Sequence, residues 1–225
     1  MRNETVVKGS LCLWEVPEFL KRRKGNEVDL KMKVTNLELD IYETEDYDHF
    51  IRFIDLDVLE NVQFFACGNS MAFLDKPVIK SCKNLTVIAV SFDFLSVDQF
   101  FSLRNQHLKL ENHGLTLHDL QLFVQSWITT GRDIGTRFSW ERLQFEYVAD
   151  NLEYLKTHFG AVETWSNHEY YFSDKVLHGN VITLKMGDDR ELVMFCAQIP
   201  SERHTYCQWT FEMEVVACTS ATANP

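Results

Sequence analysis

Three histidines, His107, His113 and His118, fall close together in the chain, with Glu111 and Asp119 among them. Imidazole nitrogens and carboxylates are the donors a zinc site uses, so this stretch is the first candidate for metal chemistry. Its spacing matches no established ligand pattern. Cys67 and Cys196 are the candidate thiol nucleophiles, but both lie in apolar runs with no glycine-rich elbow or oxyanion turn beside them. The chain also lacks a P-loop, a dinucleotide fingerprint and an H-E-x-x-H pair. The expectation is therefore no catalytic residue, no metal and no cofactor; a cysteine/histidine-dependent hydrolase or metal enzyme is the alternative.

The histidines are better explained by the elements around them. His107-Leu108-Lys109-Leu110-Glu111 alternates as a strand, and Thr116 with Asp119 three residues on has the form of a capping box. Leu117, Leu120, Phe123, Val124, Trp127 and Ile128 then recur at helical spacing, Gly131 ends the helix, and Arg142 to Tyr147 is predicted as the next strand. This is a strand, helix, strand unit.

The same stretch, His113 to Gly131, resembles the signature of the nematode F-box-associated domain of type 2. The matching positions are Leu115-Thr116, Asp119-Leu120, Phe123, Trp127-Ile128 and Gly131, with the leucine of the following strand at Leu143. The similarity is clearest from Leu85 to Val148. It implies substrate selection for a cullin-type (SCF) ubiquitin ligase, with an F-box binding a Skp1-like adaptor. The Leu-Pro pair and apolar helix of an F-box are not found, the nearest dipeptide being Val16-Pro17. The expectation is a fragment of a longer F-box protein, or a member that has lost its adaptor site.

Five strand-like copies recur: Asn36 to Asp40, Asn61 to Phe65, Asn84 to Ile88, His107 to Glu111 and Arg142 to Glu146, at intervals of 25, 23, 23 and 35 residues. Helical segments are predicted between them at Asp48 to Leu59, Met71 to Cys82 (interrupted by Pro77) and Ser96 to Leu103. Strands joined by such crossovers are parallel and the crossovers right-handed. After a short helix from Asp150 to Gly160, Val181 to Met186, Glu191 to Gln198 and Gln208 to Val216 form an antiparallel meander with a turn at Gly187 to Arg190. The predicted fold is α/β, an irregular leucine-rich-repeat-like right-handed solenoid closed by a C-terminal antiparallel β-meander. Its parts are an N-terminal segment at 1–33, repeats at 34–160, the meander cap at 161–216 and a tail at 217–225.

Alternation sends Leu37, Leu39, Val62, Phe64, Leu85, Val87, Leu108, Leu110, Leu143 and Phe145 to the core. It leaves Glu38, Asp40, Gln63, Phe65, Thr86, Ile88, Lys109, Glu111, Gln144 and Glu146 on the concave face. Phe65 and Ile88 there are an apolar centre within an acidic rim, the composition of a protein-binding patch; the other reading is that the C-terminal segment folds over and buries them. The expected partner is a protein with a basic segment, and a Skp1-like adaptor only if an F-box is supplied.

Composition agrees. Hydrophobic residues make up 45%, enough for a core, and the formal charge of −11 argues against a nucleic-acid partner, whose phosphates need a basic surface. The basic run Lys21 to Lys24 is read as a solvated turn rather than an import signal or phosphate contact. No apolar run is long enough for a membrane span, and Met1 to Lys8 lacks the order of a secretory signal. The six cysteines include no C-x-x-C and are read as reduced, so the expected compartment is cytoplasmic or nuclear.

Overall fold

In the computed structural model the described residues are 6–13, 31–40, 48, 50–66, 73–89, 97–111, 114–142, 145–164, 176–199 and 208–218. The chain divides into two compact units, Met1–His113 and Gly114–Pro225.

The first unit is built on β1 (Val6–Leu13), β2 (Lys33–Leu39), β3 (Asn61–Ala66), β4 (Asn84–Ala89) and β5 (His107–Glu111), each parallel to the one before it. From β3 to β5 the pleat alternates buried and half-buried residues without a slip; β2 does so from Asn36 to Leu39, after a break at Thr35 and Asn36, which are both half-buried. Leu37, Leu39, Val62, Phe64, Leu85, Val87, Leu108 and Leu110 are all buried, as their alternation predicts.

The returning segments complete that core. A single 3-10 turn, Leu56–Val58, precedes β3, with the Asp55 side chain accepting from the Asp57 amide. Helix α1 (Pro77–Ser81) buries Val78 and Ile79, and Pro77 opens it rather than breaking it, because the first turn has no use for the missing N–H. Helix α2 (Asp98–Phe101) buries Phe100. Phe73 meets Phe64 at 5.6 Å between ring centroids. Asn105, buried before β5, donates from Nδ2 to the carbonyls of Ile79 (2.8 Å) and Cys82 (2.7 Å). It thereby satisfies carbonyls at the end of α1 that have no partner within the helix.

The second unit contains α3 (Leu117–Thr130), β6 (Arg137–Arg142), α4 (Phe145–Phe159), β7 (Val162–Thr164), β8 (Val176–Lys185), β9 (Arg190–Ile199) and β10 (Gln208–Ala217). Its strands pair in the order β6-β10-β9-β8-β7, every pair antiparallel. The capping box at the start of α3 is formed: the Asp119 amide donates to Thr116 Oγ1 (3.1 Å) and the Thr116 amide to Asp119 Oδ2 (2.8 Å). Helix α3 buries Leu120, Phe123, Val124 and Trp127, with Phe123 against Phe138 of β6 at 4.5 Å. Gly131 follows at φ +64°, a conformation that strains any L side chain. Helix α4 lies along β6, β8, β9 and β10, and its Tyr154 hydroxyl donates to Gln121 of α3 at 2.9 Å.

The leucine-rich-repeat-like solenoid with a separate meander cap is therefore not the fold; the chain is α/β, with parallel strands in the first unit, antiparallel strands in the second and few helices among the described residues. Three findings overturn the repeat. The fifth copy, Arg142 to Glu146, is not a strand, since β6 ends at Arg142 and Phe145 already belongs to α4. Strand β6 also runs antiparallel to β10, so the meander expected as a cap is hydrogen-bonded into the sheet of β6. Helices of five and four residues, α1 and α2, are moreover too short to form a regular outer layer.

Substituting Thr116→Ala is expected to lower the unfolding free energy by about 1 kcal/mol through loss of the cap. Phe123→Ala should cost about 3–5 kcal/mol through the cavity left against Phe138. Urea denaturation followed by circular dichroism measures both, and equal losses would deny that packing outweighs capping here.

Candidate functional site

The half-buried face of β2–β5 gathers most of the residues expected to bind a partner. Register places Glu38 beside Gln63, Gln63 beside Thr86 and Thr86 beside Lys109. One step further along the strands, Phe65 pairs with Ile88 and Ile88 with Glu111. Asp40, just beyond β2, is half-buried. Phe65 and Ile88 are half-buried too, neither in the sealed core nor among the exposed large apolar side chains.

One expected member is placed elsewhere: Glu146 lies in helix α4 of the second unit. Gln144 lies outside the described residues.

Sequence reasoning missed the row that runs behind these residues. Asn36, Asn61, Asn84 and His107 are in register across β2–β5. Asn61 Nδ2 donates to Asn36 Oδ1 at 2.5 Å, and Asn84 Nδ2 donates to Asn61 Oδ1 at 2.6 Å. The central amide, Asn61, is thus donor to Asn36 and acceptor from Asn84, a directed ladder across three strands. The signal was available: three of the repeat copies open with asparagine and the next with histidine.

A cavity of about 170 Å³ opens on this face over β1–β4, walled by Ser10, Asn36, Glu38, Asn61, Gln63, Asn84 and Thr86. Glu38, which lines it, accepts at Oε2 from the Cys12 thiol at 3.0 Å. That hydrogen bond, with some desolvation and the carboxylate's charge, holds the thiol above its ordinary pKa, so Cys12 stays a neutral donor. Lys109 pairs with Glu111 at 2.7 Å. Among the described residues no cation pairs with Glu38, which leaves its charge at the cavity uncompensated.

The second unit holds a different polar group, also unforeseen. On one face of β6 and β10, Ser139, Glu141, Thr210, Glu212 and Glu214 are all buried. The Ser139 hydroxyl donates to Glu212 Oε2 at 2.5 Å, and Arg137 Nε lies 3.4 Å from Glu214 Oε1. Glu214 Oε2 has no hydrogen-bond partner among the described residues. Burial pushes the Glu214 pKa up, with the Glu212 charge adding to it and Arg137 opposing.

The described histidine and cysteine candidates fall in separate structural elements. His107 is half-buried on β5, His118 is exposed on α3, the Asp119 carboxylate is committed to the capping box, and His113 lies outside the described residues. Among the described residues no group of three or more His, Cys, Asp or Glu side chains is placed to hold a metal ion. Burial raises the Cys196 thiol to about 12, so it keeps its proton near neutrality; Cys67 is outside the described residues. No helix among the described residues is long and apolar enough to cross a membrane.

The fold and face are those of an α/β protein with a polar, half-open sheet surface. The chain belongs to the family described as a domain of unknown function (DUF3557), whose model matches residues 20–142, more than half its length. Among solved structures, a precorrin-6y C5,15-methyltransferase from Geobacter metallireducens GS-15 is similar with a TM-score of 0.29 and 7% sequence identity, over 78% of this chain and 76% of that chain. Nothing about the activity of this chain follows from a likeness of that degree. No curated protein matches the sequence.

Asn61→Ala removes both hydrogen bonds of the ladder at once and is expected to cost about 1–2 kcal/mol of stability. Gln63→Ala, on the same strand and face, should stay within about 0.5 kcal/mol; chemical denaturation of the two variants compares them. For Glu214 the sign follows from its raised pKa. Between the ordinary glutamate value of 4.5 and the raised folded value, the folded state binds more protons than the unfolded state. Stability contributed by protonation is thus complete below 4.5 and lost as pH rises through the folded value. Glu214→Gln should gain in Tm relative to the wild type as pH rises across that window; a parallel pair of Tm–pH curves would contradict the assignment.

Proposed function

We propose that this chain is a protein-recognition module, without catalytic activity of its own, whose half-open face on β2–β5 selects a basic segment of a partner protein. The observation that carries this reading is the pairing of Phe65 with Ile88 in adjacent register, bordered by Glu38, Asp40 and Glu111. Half-buried apolar groups within a carboxylate rim combine a desolvating centre with electrostatic steering of a basic partner. The resemblance of Leu115 to Gly131 to the F-box-associated domain of type 2 extends the proposal. The selected protein would be a substrate of an SCF-type ubiquitin ligase in the cytoplasm or nucleus, with the Skp1-like adaptor reached only through an F-box supplied outside the residues that bind.

The hydrolase or metal-enzyme alternative has no comparable support. Its cysteine at 196 is a protonated, buried thiol, and Asp119 serves as a helix cap.

Replacing Phe65 and Ile88 together by Ser should weaken partner binding about tenfold or more while leaving the fold intact, since two half-buried apolar side chains contribute on the order of 1 kcal/mol each. Proximity labelling in the native cells, comparing wild type with this variant after circular dichroism shows equal melting, reads the outcome. Selective loss of a partner, with or without cullin and adaptor subunits, is the expected result. Identical partner lists would reject the face as the recognition surface.

A further inference from the structure

The placement of charge and apolar surface on the first unit's face specifies more than a basic partner. Glu38 sits opposite Gln63, and Phe65 lies two residues further along the same strand as Gln63. With strands about 4.8 Å apart and about 6.6 Å of rise per two residues, the step from Glu38 to Phe65 is about 8 Å. Side chains at i and i+2 of an extended peptide project to one side about 6.6 Å apart. A lysine or arginine stem makes up the difference. We infer that the face recognises an extended segment of the pattern basic, any residue, apolar, with the basic group in the cavity at Glu38 and the apolar group on Phe65 and Ile88.

The cavity has the chemistry for the first of these positions. Its walls combine one uncompensated carboxylate, Glu38, with the side-chain amides of Asn36, Asn61 and Gln63 and the hydroxyl of Thr86. An amide oxygen has two lone pairs, so Asn36 Oδ1 and Asn61 Oδ1 can each accept a further hydrogen bond after the one the ladder uses. A cation with several N–H donors can therefore be met on more than one side. Glu111 does not compete for it, because Lys109 already pairs with that carboxylate. Charge and spacing together fix where the segment's side chains fall: the basic residue over β2 and the apolar one over β3 and β4.

This inference rests on the recognition reading above, and its test separates the two. Gly/Ser peptides carrying one Lys and one Leu, adjacent or with one, two or three residues between them, are labelled with fluorescein and titrated with the full chain, reading anisotropy. The expected result is tightest binding for the one-residue spacing, by about fivefold over the others. Glu38→Gln should erase that advantage and reduce Lys-x-Leu to the level of Ala-x-Leu. Ile88→Thr, which keeps a β-branched residue in the strand, should weaken every Leu-containing peptide alike. Peptides that bind, respond to Ile88→Thr and show no preference for spacing or for Lys overturn this inference and leave the recognition reading standing. No binding at millimolar peptide, or binding that neither variant alters, overturns both.

Discussion

The register of the first unit's parallel strands is the constraint on which its surface depends. A strand shifted by one residue turns every side chain to the opposite face, so Glu38, Phe65 and Ile88 share a surface only while β2, β3 and β4 hold their alignment. The apolar side enforces this through Leu37, Val62, Leu85 and Leu108, which meet in register and are buried. The polar side enforces it separately. A hydrogen bond between Asn36 and Asn61, and another between Asn61 and Asn84, form only at matched positions, and each misplaced amide would be left half-buried without its partner. The backbone bonds from Glu60 to Thr35, Asn84 to Glu60 and His107 to Lys83 extend the same alignment one residue toward the strand starts.

What this ladder provides is a floor for the cavity. Amides locked to one another present their remaining lone pairs in fixed positions, and a fixed acceptor loses less conformational entropy on binding than a mobile one. Cys12 and Lys109 shape the charge above that floor. The thiol contacts Glu38 without neutralising it, whereas Lys109 neutralises Glu111. An acidic rim that looks uniform in the sequence is thus graded, with its live charge toward β2.

How far the sequence could be read depended on how many periods each segment admits. Asn36 to Asp40 and its next three counterparts alternate cleanly and are flanked by unrelated residues, so period two was the only fit and the buried set followed. The segment from Arg142 admits two. Leu143, Phe145 and Tyr147 alternate, which suggests a strand, but Phe145, Val148, Leu152, Leu155 and Phe159 also recur at helical spacing over a longer span. The longer pattern won: α4 runs from Phe145 to Phe159 with Leu152 and Leu155 buried. The strand was immediately upstream, where Phe138 and Trp140 alternate with Ser139 and Glu141. The asparagine ladder is hidden for a different reason: period two puts Asn36, Asn61 and Asn84 on the polar face but does not specify which polar side chains bond to one another across the strands.

The same alternation has a different meaning in the second unit. Thr210, Glu212 and Glu214 alternate with Phe211, Met213 and Val215, a pattern that reads as one wet face and one dry face. Both sets are buried. Burial of the polar set is compensated by pairing across β6 and β10, where Ser139 meets Glu212 and Arg137 meets Glu214 in register. A charged pair kept out of water must recover a large desolvation cost from its own geometry. The 3.4 Å approach of Arg137 and the unpartnered oxygen of Glu214 show that the recovery is incomplete at that end of the strand. Periodicity specifies which side chains share a face, but whether that face is covered is decided by residues elsewhere in the chain. The acids at 212 and 214 therefore could not be told in advance from the half-exposed acids at 38 and 111, although burial gives Glu214 a strained charge while Glu38 keeps one available to a partner.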